Sequence, residues 1–137
     1  MRQSVRYTLL ALVGVLLMVA SASAQSDHLV ANVPFSFRVG DVVLPAAKYD
    51  ISYNVIPGFL VLRGGGQQRL MSVLSAERTT PSKDNKLVFN RYGSTYFLSQ
   101  IWQAGSSRGN ALPTTRMEKE IARGAVQSPE VILAERK

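Results

Sequence analysis

Apolar and polar residues alternate with a period of two in several segments of this 137-residue chain. Every second residue is apolar from Val33 to Val39, and the same alternation recurs from Tyr49 to Val55. Because successive side chains of a strand point to opposite faces of the sheet, each segment predicts a strand with one buried face. The continuous apolar run Phe59–Leu62 predicts instead a central strand that is covered on both faces.

Turn-forming residues separate the remaining strand-like segments. Leu70–Ala76 is one of them, and Leu87–Tyr92 and Thr95–Trp102 predict a hairpin around Gly93 and Ser94. Six to eight short strands connected by turns are typical of an all-β fold. We therefore expect a single antiparallel β-sandwich or β-barrel with one short C-terminal helix.

The helix is expected late in the chain. Thr115 and Glu118 have the spacing of a capping box, in which Thr115 caps the first turn and the Glu118 side chain reaches back. Gly124 is a natural stop, so the pattern predicts a helix over about 116–123. The segment 125–137 contains one apolar triplet and is expected to be a C-terminal tail or an edge strand.

The N-terminus has the pattern of a secretory signal peptide over residues 1–24. Arg2 and Arg6 precede an apolar run, Leu9–Ala20, and small residues follow up to Ala24. The run is shorter than the roughly 20 residues that a membrane-spanning helix needs. We therefore expect cleavage near Ala24, export to the periplasm or the exterior, and no transmembrane segment in the mature form.

The rest of the chain is expected to form one domain. Residues 25–30 are mostly polar and are expected to be a flexible mature N-terminus. Residues 31–124 carry the strand and helix patterns and are expected to form a single β-rich domain, with no internal repeat. A domain of this size buries enough surface for a stable core without disulfides.

Composition and charge limit the kinds of catalytic, metal and binding sites that the chain can form. The chain has no cysteine and one histidine, and its formal charge is +7. Thiolate metal sites, cysteine nucleophiles and multi-histidine metal centres are thereby excluded, and we expect neither a metal nor a cofactor. The basic residues are scattered near turns, which favours weak attraction to an anionic envelope polymer or to lipid head groups over specific nucleic-acid recognition.

The aromatic residues of the predicted hairpin are the candidate ligand site. Arg91, Tyr92, Tyr96 and Trp102 could form a platform that stacks against sugar rings or bases, so carbohydrate is a further expected partner. The alternative is that these side chains pack across the strand pair, as aromatic residues in strands usually do.

The ionisable residues of the sequence do not identify a catalytic group. Glu118 and Glu120 are two residues apart on the predicted helix, so they cannot face each other as a glycosidase carboxylate pair does. His28, the only histidine, lies near the expected mature N-terminus and is expected to be solvated. A Ser-His-Asp triad would have to use this residue. The protein is therefore not expected to be an enzyme.

Three segments together are similar to a family of uncharacterised small secreted bacterial β-rich proteins. They are Val33–Gly40 (VPFSFRVG), Leu44–Tyr49 (LPAAKY) and Leu87–Trp102 (LVFNRYGSTYFLSQIW). The resemblance implies secretion and a β-rich fold, and it supplies no catalytic residue. The chain departs from the family at Ala47, where glycine is usual, and at Asn90, where histidine is usual, which weighs against a histidine-based activity.

These observations favour a non-catalytic binding or structural module of the cell envelope. One alternative is a carboxylate-based hydrolase of envelope polymers. The other is a subunit that self-assembles by β-strand addition through Val33–Val39 or Val131–Leu133. The oligomeric state is left open.

Overall fold

The computed structural model describes residues 28–136; the predicted signal peptide lies outside them. The described chain is mostly β, with 61% strand and 7% helix, which confirms the expectation of an all-β chain with one short helix. Its eleven strands and one helix are β1 (His28–Val33), β2 (Phe37–Val39), β3 (Val42–Leu44), β4 (Ala47–Ile56), β5 (Phe59–Gly64), β6 (Gln67–Ser72), β7 (Leu74–Glu77), β8 (Lys86–Tyr92), β9 (Thr95–Trp102), β10 (Arg108–Ala111), α1 (Arg116–Ala122) and β11 (Gln127–Arg136).

The number of strands exceeds the predicted six to eight, because two hydrophobic patterns are divided by irregular backbone and because β10 forms where no strand was predicted. The alternating segment Val33–Val39 is split between β1 and β2 at Pro34, which has no N–H to donate to a ladder. The segment Leu70–Ala76 is likewise divided into β6 and β7 at Val73. A single hydrophobic pattern in the sequence therefore extends past points at which the hydrogen bonding between strands is interrupted.

The strands form one curled, half-barrel sheet. The ladder runs β3-β2-β9-β8-β11-β1-β4-β5-β6, and β10 pairs with both β9 and β7. All neighbouring strands are antiparallel except β2 and β9, which meet at Arg38 and Phe97. One residue, Val73, separates β6 from β7. Strand β6 lies at one end of the ladder, and β7 joins the sheet through β10 and β9 towards the other end, so the chain links these two regions directly.

The final strand, β11, joins the part of the sheet that contains β8 to the part that contains β1. Gln127–Leu133 pairs with β8, whereas Ala134–Arg136 pairs with β1. Of the two expectations for segment 125–137, the strand is therefore found, and each of its two parts pairs with a different neighbouring strand. The expectation of a flexible N-terminus is wrong for 28–30, because these residues pair with β4.

Aromatic rings fill one end of the curled sheet, which we call the filled end. Phe89 is fully buried and meets Phe35 and Phe37 edge to face, with ring centroids 5.0 and 5.3 Å apart. Phe37 also meets Tyr49 at 5.1 Å, and Phe35 stacks on Tyr96 at 3.9 Å. These five rings, with the β5–β6 and β8–β9 turns around them, close this end of the core.

Helix α1 begins as the capping pattern predicted. The Thr115 hydroxyl accepts a hydrogen bond from the backbone N–H of Glu118 at 3.2 Å, and the helix ends one residue before the predicted end. The side chain of Glu118, however, does not reach back to Thr115. It is buried against the sheet, where two side-chain donors bind its carboxylate.

Candidate functional site

The four residues of the predicted aromatic site do not lie together. Arg91 and Tyr96 are cross-strand partners, and the Arg91 guanidinium lies 5.5 Å from the centre of the Tyr96 ring. One face of that ring is already stacked on Phe35. Tyr92 is buried, with 6% of its surface exposed. Of the candidate residues at this end of the hairpin, Arg91 and part of Tyr96 are accessible.

Trp102 lies at the opposite end of the hairpin and is 97% buried. It pairs with Lys86, six residues before Tyr92 along β8, and is 3% exposed. Its ring lies over Gly109 so closely that a Cβ there would be 2.6 Å from a ring carbon, and the Arg78 guanidinium lies 5.3 Å from the ring centre. A continuous stacking platform from Arg91 to Trp102 is therefore not formed, and cross-strand packing explains the buried rings.

A groove opens at the end of the sheet opposite the filled end, which we call the open end. The β4–β5 turn and the segment Val73–Ser75 form one wall, and residues 103–110 form the other. Buried Tyr53, Leu60 and Ile101 lie at its floor. Its volume is about 390 Å³. Grooves of this size at the mouths of curled sheets are common sites for small ligands.

Large apolar side chains line this open-end groove without being covered. Ile56, Phe59 and Leu74 are 44%, 38% and 59% exposed. Strand β5 must leave its first residue partly exposed because the turn at Pro57 and Gly58 directly precedes it. An apolar surface that a folded chain leaves open is characteristic of a binding surface when polar residues surround it.

The polar rim of the groove contains a basic side chain and several neutral ones. Arg108 is the charged residue among those lining it, and Gln103, Ser106 and Asn110 supply amide and hydroxyl groups. Arg108 is paired with Glu77 at 3.9 Å, and both side chains are at least three-quarters exposed. A pair this long and this solvated is weak, so Arg108 can exchange Glu77 for an acidic group of a ligand.

A buried polar network connects the helix to the β8–β9 hairpin. The Oε1 atom of Glu118 accepts hydrogen bonds from Asn90 Nδ2 at 2.9 Å and from the Tyr92 hydroxyl at 3.2 Å. Gln127 donates to Asn90 Oδ1 at 2.9 Å. Burial raises the pKa of Tyr92, and the negative charge of Glu118 and the hydrogen bond to it raise that pKa further. Glu118 is thus a buried carboxyl group with two hydrogen-bond donors, whereas Glu120 is exposed and paired with Arg116.

His28 is a partly buried residue of β1 and does not lie in a solvated tail, contrary to expectation. Its Nδ1 atom lies 2.9 Å from Asp50 Oδ1 and 3.0 Å from Ser52 Oγ. A Ser-His-Asp triad needs the acid and the serine on different ring nitrogens, because the proton must cross the imidazole. Here both approach the same nitrogen, so the three residues fix the start of β1 against β4 and do not form a triad.

Neither a metal centre nor a membrane-spanning helix is found in residues 28–136. No group of three or more histidine, aspartate or glutamate side chains in this range is arranged to hold a metal ion. None of the helical structure in the same range is long and apolar enough to cross a bilayer.

Comparisons of the chain with protein-family models, with curated proteins and with solved structures gave no match.

Sequence reasoning missed the open-end groove and the buried position of Glu118. A signal for the groove was present, since Ile56 and Phe59 flank a Pro-Gly turn, where large apolar residues are rarely covered. No local signal identified Glu118, because the same spacing of charges on a helix is found on solvated faces. Its two donors, Asn90 and Tyr92, are 28 and 26 residues away in sequence.

Proposed function

We propose that this protein is an exported, non-catalytic binding module of the bacterial cell envelope, working in the periplasm or at the exterior. The observation that carries the proposal is the open-end groove, in which Ile56, Phe59 and Leu74 remain exposed beneath a polar rim. The N-terminal pattern of positive, apolar and small residues supports export.

The composition of the groove favours an amphipathic envelope component. Its apolar part would lie along Phe59 and Leu74, and an anionic or polar head would reach Arg108 and Asn110. The net positive charge of the chain supports an acidic head over a basic one. This ligand combines features of the lipid head groups and the anionic polymers expected from the sequence, and the protein would bind it without changing it.

We also favour a barrel over a sandwich among the two expected architectures. The reason is the one-residue connection between β6 and β7, which pair with β5 and β10 respectively. A strand that changes neighbours at a bend is the usual corner of a barrel. The groove would then be the mouth of that barrel.

The test uses the single tryptophan as a reporter, because Trp102 packs on Gly109, which lines the groove. Titration with dodecyl phosphate below its micelle concentration is expected to shift the Trp102 emission, whereas maltohexaose is expected to leave it unchanged. Leu74→Ser and Arg108→Gln should each weaken dodecyl phosphate binding. Arg116→Gln is the matched control, since it removes another exposed arginine charge, on helix α1 and outside the groove.

Two results would contradict this function. One is a chain that binds dodecyl phosphate equally well with and without the groove substitutions. The other is steady turnover of purified peptidoglycan or another envelope polymer that is abolished by Glu118→Gln, which would favour the hydrolase. Glu118 is the one buried carboxylate in residues 28–136, which makes it the residue to substitute in this test.

A further inference from the structure

A second cavity, separate from the open-end groove, lies between β6 and the helix, and we call it the Glu118 cavity. Leu70, Met71 and Ser72 of β6 form one wall, and residues of β2, β9 and the segment 112–118 form the other. Its volume is about 250 Å³, less than the usual range for drug-sized ligands. That space suits a single long side chain.

The Glu118 carboxylate presents one oxygen to this cavity. Asn90 and Tyr92 both bind Oε1, and no described residue donates a hydrogen bond to Oε2. Oε2 is not one of the fully enclosed polar atoms that lack a partner, and Glu118 lines the cavity, so this oxygen opens into it. The residue as a whole is 5% exposed. A fixed, nearly buried carboxylate oxygen is a strong acceptor for a charged donor.

The cationic side chain that lines the cavity contacts another residue. Arg38 also lines the cavity, but its Nη1 atom lies 3.3 Å from the sulfur of Met117. No ion pair within 4.0 Å joins Arg38 to Glu118 among the described residues. The remaining walls are largely apolar, with Phe97 and Leu98 among them. An ammonium or guanidinium group on an apolar stem matches this lining.

The same cavity contains an unpaired sheet edge. Strand β6 pairs with β5 on one side, and on its other side it has no strand neighbour in the described chain. The backbone N–H and C=O groups on that side can therefore bind an extended peptide, whose alternate side chains would enter adjacent pockets.

We propose that the Glu118 cavity binds an extended peptide segment that adds to β6 and inserts a lysine or arginine side chain, whose charged group donates to Glu118 Oε2. The main-chain pairing would supply affinity, and the carboxylate would supply the preference for a basic residue. Nothing in this proposal depends on the ligand of the open-end groove.

The test is calorimetric titration of the protein with blocked pentapeptides of alternating sequence, Thr-Val-Xaa-Val-Thr, in which Xaa is lysine, norleucine or glutamate. Lysine should bind at least about tenfold more tightly than norleucine, since a hydrogen bond between charged groups is lost with the latter. Equal binding of the two, or tighter binding of the glutamate peptide through Arg38, would overturn the proposal.

Two variants and two further probes locate the interaction. Glu118→Gln keeps an Oε1 acceptor for Asn90 and Tyr92, and it should remove most of the preference for lysine. Glu120→Gln, on the exposed side of the same helix, should leave that preference intact. Butylamine should bind far more weakly than the lysine peptide, and so should a lysine peptide with methylated backbone nitrogens.

Butylamine binding as tight as the peptide, or no effect of backbone methylation, would show that β6 takes no part, and strand addition would be wrong. An unchanged lysine preference in Glu118→Gln would show that the carboxylate is not the acceptor. If Glu118→Gln fails to fold, the comparison of peptides on the unaltered protein still decides the outcome.

Discussion

The two ends of the curled sheet treat large apolar side chains in opposite ways. At the filled end, five aromatic rings contact one another, and Phe89 at their centre has no exposed surface. At the open end, Phe59 and Leu74 project from strand ends and remain exposed. The filled end uses its apolar residues for stability, and under the proposed function the open end leaves them exposed to contact a ligand. Substitutions at the two ends should therefore separate folding from binding.

The largest effect is expected for Phe89→Ala at the filled end. Removing a fully buried ring from the contacts with Phe35 and Phe37 should lower the free energy of unfolding by about 3–5 kcal/mol. Urea denaturation followed by circular dichroism measures the loss. Phe59→Ala is the matched control at the open end and should cost less than half as much. Equal losses would remove the distinction between the two ends.

Gly109→Ala is expected to have the next largest effect, because Gly109 lies between the groove and Trp102. A Cβ at this position would be 2.6 Å from the Trp102 ring and 2.9 Å from the Ile101 carbonyl oxygen. The resulting repacking should cost about 1–3 kcal/mol and change the tryptophan emission of the unliganded protein. Gly124→Ala, where a Cβ meets nothing within 4 Å, is the control. A fully stable Gly109→Ala protein would show that Trp102 moves freely.

Tyr92→Phe tests the hydrogen bond that the Tyr92 hydroxyl donates to Glu118 near the filled end. At neutral pH the lost hydrogen bond should cost about 1 kcal/mol. The pKa of Tyr92 is raised above its ordinary value of 10.0 by burial first and by Glu118 second. A raised pKa means that the folded state holds the proton more tightly, so this stability is present below pH 10 and is lost as the pH rises further.

Urea denaturation at pH 7, 9 and 10.5 tests this pH dependence. The free energy of unfolding of the unaltered protein should fall above pH 10, and Tyr92→Phe should fall less steeply. Some slope should remain in both, because burial also raises the pKa of Tyr49, whose hydroxyl donates to the Pro45 carbonyl. Identical slopes in the two proteins would mean that folding does not raise the pKa of Tyr92.

The smallest effect on stability is expected for Leu74→Ser in the open-end groove. Leu74 is 59% exposed, so its replacement should change the free energy of unfolding by no more than about 0.5 kcal/mol. The same substitution should reduce the response of Trp102 to dodecyl phosphate. A loss of several kcal/mol would show that Leu74 belongs to the core and that the groove is a defect of packing rather than a site.

The all-β class was predictable from the sequence because side-chain alternation depends only on the local geometry of a strand. The hairpin from Leu87 to Trp102 was found with the predicted turn, and the helix began at the predicted cap, Thr115. The prediction of the aromatic site was less successful. A strand pattern shows where aromatic residues lie along the strand, but it does not show which face of the sheet other parts of the chain cover. Tyr92 and Trp102 are both buried at opposite ends of one hairpin.

By itself, the sequence determined the strands that carry a clear apolar pattern, where the helix starts, and that thiol and multi-histidine chemistry have no residues to use. It did not identify β10 or the strand at residues 28–30. Only the tertiary structure decided that β11 joins two halves of the sheet, that His28 meets Asp50, and that Glu118 is buried beside Asn90 and Tyr92. The physical reason is range: propensity, capping and alternation act within a few residues, whereas burial and strand order depend on contacts between residues far apart in the chain.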